Sequence, residues 1–129
     1  VFSLVGKSVV VTGGSKGIGR GIASVFAEAG ANVAVASRSA ADMDATVSAL
    51  DGVGDGKVIG VTTDVSDPAS CTAMASAVTD AFGGIDVLCA NAGIFPEAPL
   101  ATMTPQQLAE VLDVNVKGTV FSVQACCRR

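Results

Sequence analysis

The chain has 129 residues, half of them apolar and 16% charged, with a formal net charge of −4. That length fits one domain with its own core, and the low charge fits an α/β domain whose parallel strands are buried on both faces. The acidic balance, with no cationic stripe, argues against a nucleic-acid partner, whose phosphates need a basic surface.

No apolar run approaches the roughly 20 residues of a membrane span, and the start Val1-Phe2-Ser3-Leu4-Val5-Gly6-Lys7 has no basic segment followed by a long apolar one. A cytoplasmic protein with no membrane partner is expected. Cys71, Cys89, Cys126 and Cys127 lack paired C-x-x-C spacing and there is no His to complete a metal set, so reduced, mostly buried thiols and no metal site are expected. The absence of Tyr, His and Trp removes phenol and imidazole from any acid-base chemistry; four lysines remain, Lys7, Lys16, Lys57 and Lys117.

Lys7 to Thr12 reads as a buried first strand. The stretch Thr12-Gly13-Gly14-Ser15-Lys16-Gly17-Ile18-Gly19 turns it into a helix. Glycines at 13, 17 and 19 allow positive φ and close approach of a ligand, and the free amides of a helix start attract an anion, so a diphosphate fits this turn. The glycines fall as G-x-x-x-G-x-G rather than the commoner G-x-G-x-x-G. Ile18, Ile22, Val25, Phe26 and Ala29 supply an inward helical stripe that Gly30 ends. Asn32 to Ala36 then closes a β-α-β unit.

After Ser37-Arg38-Ser39, with Ser39 a helix cap, Met43, Val47 and Leu50 face inward. Residues 51–56 form a Gly-rich surface turn rather than a domain linker. Lys57 to Thr62 is the third strand and ends at Thr63-Asp64-Val65. Asp67-Pro68 starts a helix with Cys71, Met74, Ala75, Val78 and Phe82 as its core stripe, ended by Gly83-Gly84. Ile85 to Ala90 is the fourth strand, broken by Asn91-Ala92-Gly93. A loop over 94–103 leads to Thr104-Pro105 and a last helix running to Arg129, with Leu108, Val111, Leu112, Asn115, Thr119 and Ser122 or Val123 on one face.

Strict alternation of buried strands and helices predicts a Rossmann-type, doubly wound parallel sheet in the order 3-2-1-4, lacking later strands. Strands one and four are then neighbours, with a crevice at their carboxyl ends bordered by the turns at Gly13 and Asn91. Strand four is an apolar edge.

With these pieces in place, the sequence resembles the short-chain dehydrogenase/reductase family over essentially its whole length, through the motifs at 12–19, Asp64-Val65, Asn91-Ala92-Gly93 and Asn115 within Asp113-Val114-Asn115-Val116-Lys117-Gly118. It looks most like the 3-oxoacyl-carrier-protein reductase-like branch, as an amino-terminal portion. The resemblance implies that Thr12, Gly13, Ser15, Lys16, Gly17, Ile18 and Gly19 border the cofactor diphosphate and that Asp64 and the Val65 amide meet adenine. Asn91, Ala92 and Gly93 flank the cofactor beside the central strand. Asn115 belongs to the catalytic set, holding a water for a proton relay. On the residues alone, a cap of its own turn is the lesser reading for Asp64, and a bond to backbone is the lesser reading for Asn115, read as an amide on a buried helix face. Lys117 is expected to be solvated.

Cofactor choice is legible at the end of strand two, where an NAD-binding protein carries Asp or Glu. Here Ala36, Ser37 and Arg38 stand instead, and Arg38 with Lys16 favours a ribose 2′-phosphate, so NADP(H) is expected over NAD(H). The family's catalytic Ser and its Tyr-x-x-x-Lys pair fall beyond Arg129. The reading is therefore a fragment of an oxidoreductase that moves hydride between nicotinamide and a carbonyl or alcohol, inactive alone, from a complete protein that forms a dimer or tetramer. A stand-alone dinucleotide-binding or protein-interaction module is the second reading. A methyltransferase-type domain fits poorly, because Arg38 stands where that fold wants an acid.

Overall fold

In the computed structural model, which describes residues 2–128, four parallel strands lie in the order β3-β2-β1-β4. They are β1 Ser8–Thr12, β2 Asn32–Ser37, β3 Val58–Thr62 and β4 Val87–Cys89. The crossovers are α1 Gly17–Glu28, α2 Ala40–Leu50 and α3 Pro68–Phe82; α4 Pro105–Leu112 and α5 Gly118–Cys126 follow β4. This is the expected Rossmann-type order. Alternation along β1 assigns each residue to a face: Val9 and Val11 pack with Val33, Val35, Ala23, Ala27 and Met43 under α1 and α2, while Val10 packs with Ala34, Ala36, Met74 and Val78 under α3.

β1 and β2 are buried on both sides, whereas β3 and β4, at the two edges, are only partly covered. β4 is also shorter than the expected Ile85 to Ala90. At its start the Asp86 carboxylate accepts the Ser8 amide at 2.8 Å, and at its end the Thr12 hydroxyl accepts the Asn91 amide at 3.1 Å. These side-chain bonds flank a strand of three residues, and at its start the Asp86 amide also donates to the Ser8 carbonyl at 2.9 Å.

Helix α1 corrects the expected apolar stripe. Ile18 is 79% and Val25 66% exposed, and the buried residues are Gly19, Ala23 and Ala27. Small side chains at i, i+4 and i+8 let the helix backbone lie close to the sheet, with Ile22 and Phe26 filling its flank. Its end matches expectation: Gly30, at φ 90°, turns the chain so that its amide bonds to the Ala27 carbonyl and the Ala31 amide to that of Phe26, a Schellman arrangement.

The last helix also departs from expectation. It is interrupted by a π-helical stretch, Asp113–Lys117, whose extra residue rotates the following turns. Val114, Gly118, Ser122 and Cys126 face inward, while Leu108, Leu112 and Val123 remain exposed. A Cβ on Gly118 would stand 2.6 Å from Val65 Cγ2, so glycine allows α5 to approach the turn after β3. α5 ends at Cys126; Arg129, expected within this helix, lies outside the described residues. The loop over 94–103 contains one short 3-10 turn, Leu100–Thr102.

Candidate functional site

Where β1 ends, the chain makes the turn into α1 without a side-chain cap: Lys16 is the capping residue in extended conformation and its side chain accepts no amide. α2, α3 and α4 begin differently, each capped by its own side chain, Ser39, Asp67 and Thr104. The first amides of α1 are thus left for another acceptor, at the positive end of the helix dipole. Gly13 and Gly17 have φ of 63° and 52°. A Cβ on Gly17 would meet nothing within 4 Å, so this glycine serves the backbone angle and leaves the approach open. Gly19 is helical, contrary to the expected positive φ; a Cβ there would run into the Gly13 carbonyl. It is a packing glycine.

The turn opens onto a cleft of about 380 Å³ at the carboxyl ends of the strands. Gly13, Ser15, Lys16, Ser37, Arg38, Asp64, Val65, Ala92 and Gly93 line it, bringing together three of the four expected motif regions; of the fourth, Val114 lines it and Asn115 does not. Thr12, Gly17, Ile18, Gly19 and Asn91 do not line it. Thr12 is buried, its hydroxyl committed to the amides of Asn91 and Ala92, both at 3.1 Å. Asn91 answers with its own amide group, donating to the carbonyls of Thr12 at 3.1 Å and Gly13 at 3.2 Å. Both residues shape the cleft from behind.

A hydroxyl chain fixes the β2 side. Ser15 Oγ donates to Ser37 Oγ at 2.8 Å, and Ser37 Oγ also accepts the Ser39 amide at 3.3 Å. Thr46, fully buried on α2, donates to the Ser15 carbonyl at 3.0 Å and ties that helix to the glycine turn. Arg38 is exposed and makes no ion pair among the described residues. Lys16 Nζ pairs with Asp42 Oδ2 at 2.9 Å. That lysine, and after it Ser39, hold the Asp42 carboxyl below the usual carboxylate range.

Asp64 caps its own turn, Oδ1 accepting from the Ser66 hydroxyl at 2.6 Å and amide at 3.0 Å. Asn115 is exposed rather than buried, correcting the premise that placed it on an inward face. It is bonded to backbone all the same: Oδ1 accepts the Ile94 amide at 2.8 Å and Nδ2 donates to the Ile94 carbonyl at 2.9 Å. Its own carbonyl accepts the Thr119 hydroxyl at 3.1 Å. Lys117, expected to be solvated, pairs with Asp113 at 2.9 Å.

Sequence reasoning missed Asp42, Thr46, Thr63 and Val114, of which all but Thr46 line the cleft. A signal for Asp42 was present, since Ser39-x-x-Asp42 has the spacing of a reciprocal helix cap, which places position 42 in the first turn of α2 beside Ser39. Thr46 lies one turn further along the same face. Among the described residues no cluster could hold a metal ion, and no helix is long and apolar enough to cross a membrane.

A family profile described as short chain dehydrogenase matches residues 7–129. The chain belongs to the short-chain dehydrogenase family. Its relatives include D-threitol dehydrogenase of Mycolicibacterium smegmatis, 38% identical over 99% of this chain and 49% of that protein. Galactitol 2-dehydrogenase of Agrobacterium fabrum is 37% identical over 92% of this chain and 45% of that protein. The crystal structure of a short chain dehydrogenase from Burkholderia cenocepacia in complex with NADP matches with a TM-score of 0.91 and 37% identity, over 98% of this chain and 51% of that one.

This short-chain dehydrogenase chain therefore spans about half the length of the relatives it matches. Its residues fit a nicotinamide dinucleotide: uncapped helix amides suit a diphosphate, an open face at Gly17 admits it, and Arg38 is a cation without a partner among the described residues.

Proposed function

We propose that this chain is the dinucleotide-binding portion of an NADP(H)-dependent oxidoreductase acting between a carbonyl and an alcohol carbon. The observation that carries the reading is the uncapped start of α1, whose capping residue Lys16 lines a cleft whose β2 side presents Arg38 and no Asp or Glu at positions 36–38. An arginine there favours a 2′-phosphate through charge-assisted hydrogen bonds, and a carboxylate would repel it. The NADP complex of the Burkholderia relative supports a dinucleotide in this place.

The bound nicotinamide supplies hydride transfer; the chain's residues supply its seat. Gly13 to Gly19 receive the diphosphate on backbone amides. Ser37 and Arg38 hold the adenosine ribose and its phosphate, and Asp64 with the Val65 amide receives adenine. Asn91 and Thr12 fix the floor, with Ala92 and Gly93 beside the nicotinamide half. Asn115 positions the segment that begins at Ile94, next to the reacting end, and is the residue that would hold a water of a proton relay.

The chain holds no Tyr and no His to protonate a carbonyl, so residues 1–129 alone are expected to show no ketone reduction; turnover like that of a longer relative would contradict this. Relatives named for galactitol and D-threitol support an alcohol or ketone substrate. The 3-oxoacyl-carrier-protein branch rests on the motifs alone. Leu108, Leu112, Val116, Val120 and Val123 expose apolar surface on the last helices, which supports a homo-oligomer, and four cysteines outside any disulfide support a reducing, cytoplasmic compartment.

Titration calorimetry with NADPH and NADH tests the cofactor assignment. Tighter binding of NADPH is expected; tighter binding of NADH would refute it.

A further inference from the structure

Of the two cations that border the cleft on the ribose side, one already has an anion of its own. Lys16 Nζ lies 2.9 Å from Asp42 Oδ2, with the two side chains 74% and 39% exposed. Arg38 has no such partner among the described residues. Asp42 lines the same cleft as both, in the first turn of α2.

Neither end of this pair is on a loose segment. The Asp42 amide donates to the capping hydroxyl of Ser39 at 3.3 Å, and its neighbours Met43 and Thr46 are buried. Thr46 is also bonded to the Ser15 carbonyl, the residue before Lys16, so α2 and the glycine turn are held to one another where the ion pair spans them.

We propose that Asp42 is a specificity determinant that opposes the phosphorylated cofactor, by holding Lys16 as its own counter-ion and by placing a carboxylate in the cleft that Arg38 also lines. The inference rests on the dinucleotide reading above. A ribose 2′-phosphate that recruits Lys16 must share it with Asp42 or displace it, and meets like charge from the carboxylate in doing so. A ribose hydroxyl meets no repulsion there. Asp42 is charged at neutral pH, because the ammonium beside it favours its ionised form. The preference for NADP(H) is consequently set mainly by Arg38 and is narrower than two free cations would make it.

Binding affinities for NADPH and NADH are to be measured by calorimetry in the parent protein, Asp42→Asn, Lys16→Met and the double variant, with thermal melts for each. Asp42→Asn is expected to raise the NADPH-to-NADH affinity ratio about two- to fivefold, the range of an exposed ion pair, through tighter NADPH binding, and less so at high salt. Lys16→Met is expected to lower the ratio more in the Asp42→Asn background than in the parent. Asp42→Ala serves as the second variant should the amide disturb the start of α2.

An unchanged ratio in both Asp42 variants, with only the melting temperature altered, would overturn the proposal and leave the pair a structural link. A ratio that rises only because NADH binds more weakly would also overturn it, making Asp42 an acceptor for ribose hydroxyls. Failure of the parent to bind either cofactor would remove the dinucleotide reading and this inference together, whereas binding indifferent to Asp42 removes only the latter.

Discussion

Thr12 and Asn91 exchange hydrogen bonds across the ends of β1 and β4: the Thr12 hydroxyl accepts the Asn91 amide at 3.1 Å, and Asn91 Nδ2 donates to the Thr12 carbonyl at 3.1 Å. Two turns that must face one ligand are thereby fixed to each other by the protein alone. Thr12→Val keeps the shape and removes the acceptor, leaving the part-buried Ala92 amide unpaired and the Asn91 amide with only the Cys89 carbonyl, and is expected to cost about 1–3 kcal/mol. Thr12→Ser should recover most of it. Urea unfolding of the two variants checks this; equal stability of Thr12→Val and the parent would contradict it.

The glycines at 17 and 19 are expected to fail for different reasons. Alanine is the better helix former by about 1 kcal/mol, yet Gly19→Ala should destabilise, because its methyl would enter the space of the Gly13 carbonyl and the Asn91 amide. Overpacking of this kind costs about 1–3 kcal/mol. Gly17→Ala meets no atom and suffers only from its φ of 52°, about 1–2 kcal/mol, and Gly17→Asn should be milder. A Gly19→Ala protein more stable than the parent would show that α1 does not lie this close to the Gly13 turn and Asn91.

Asn115 holds Ile94 by both faces of one side-chain amide. Asn115→Ala is expected to speed hydrogen exchange of the Ile94 amide and of the loop behind it while lowering global stability by only about 0.5–1.5 kcal/mol, the net worth of exposed hydrogen bonds. Unaltered exchange at Ile94 would contradict the clamp.

Burial raises the pKa of the Cys71 and Cys89 thiols. A raised thiol pKa favours the protonated form in the folded state, so the contribution is present at neutral pH and is lost only as alkaline pH passes through the folded-state values. Iodoacetamide at neutral pH should therefore modify exposed Cys127 first, and Cys71, Cys89 and buried Cys126 only on denaturation. Mass spectrometry of the alkylated peptides decides it, and rapid labelling of Cys71 in the native protein would contradict it.

Strand order, the caps at Ser39, Asp67 and Thr104, and the stop at Gly30 were legible because each depends on local chemistry or on a strongly marked period. The inward faces of α1 and of the last helix were not. In α1 the need for close approach to the sheet selects Gly19, Ala23 and Ala27 over Ile18 and Val25, a choice hydrophobic periodicity cannot see. In the last helix the expected face is already exposed at Leu108 and Leu112, before the π-helical stretch, as well as at Asn115 within it, and no local preference in Asp113 to Lys117 announces that stretch. At the site the cations were readable from position, but the Lys16–Asp42 pair joins residues 26 apart in sequence and exists only once α2 is docked against the glycine turn.

The most direct test of the account is hydrogen exchange at single-amide resolution with and without saturating NADPH. The predicted result is protection of the amides of residues 14–19 at the start of α1, with further protection at Ser37, Arg38 and Val65, and none along the outer faces of α4 and α5. Unchanged exchange over residues 14–19 at saturation, or protection confined to the last helices, would contradict it.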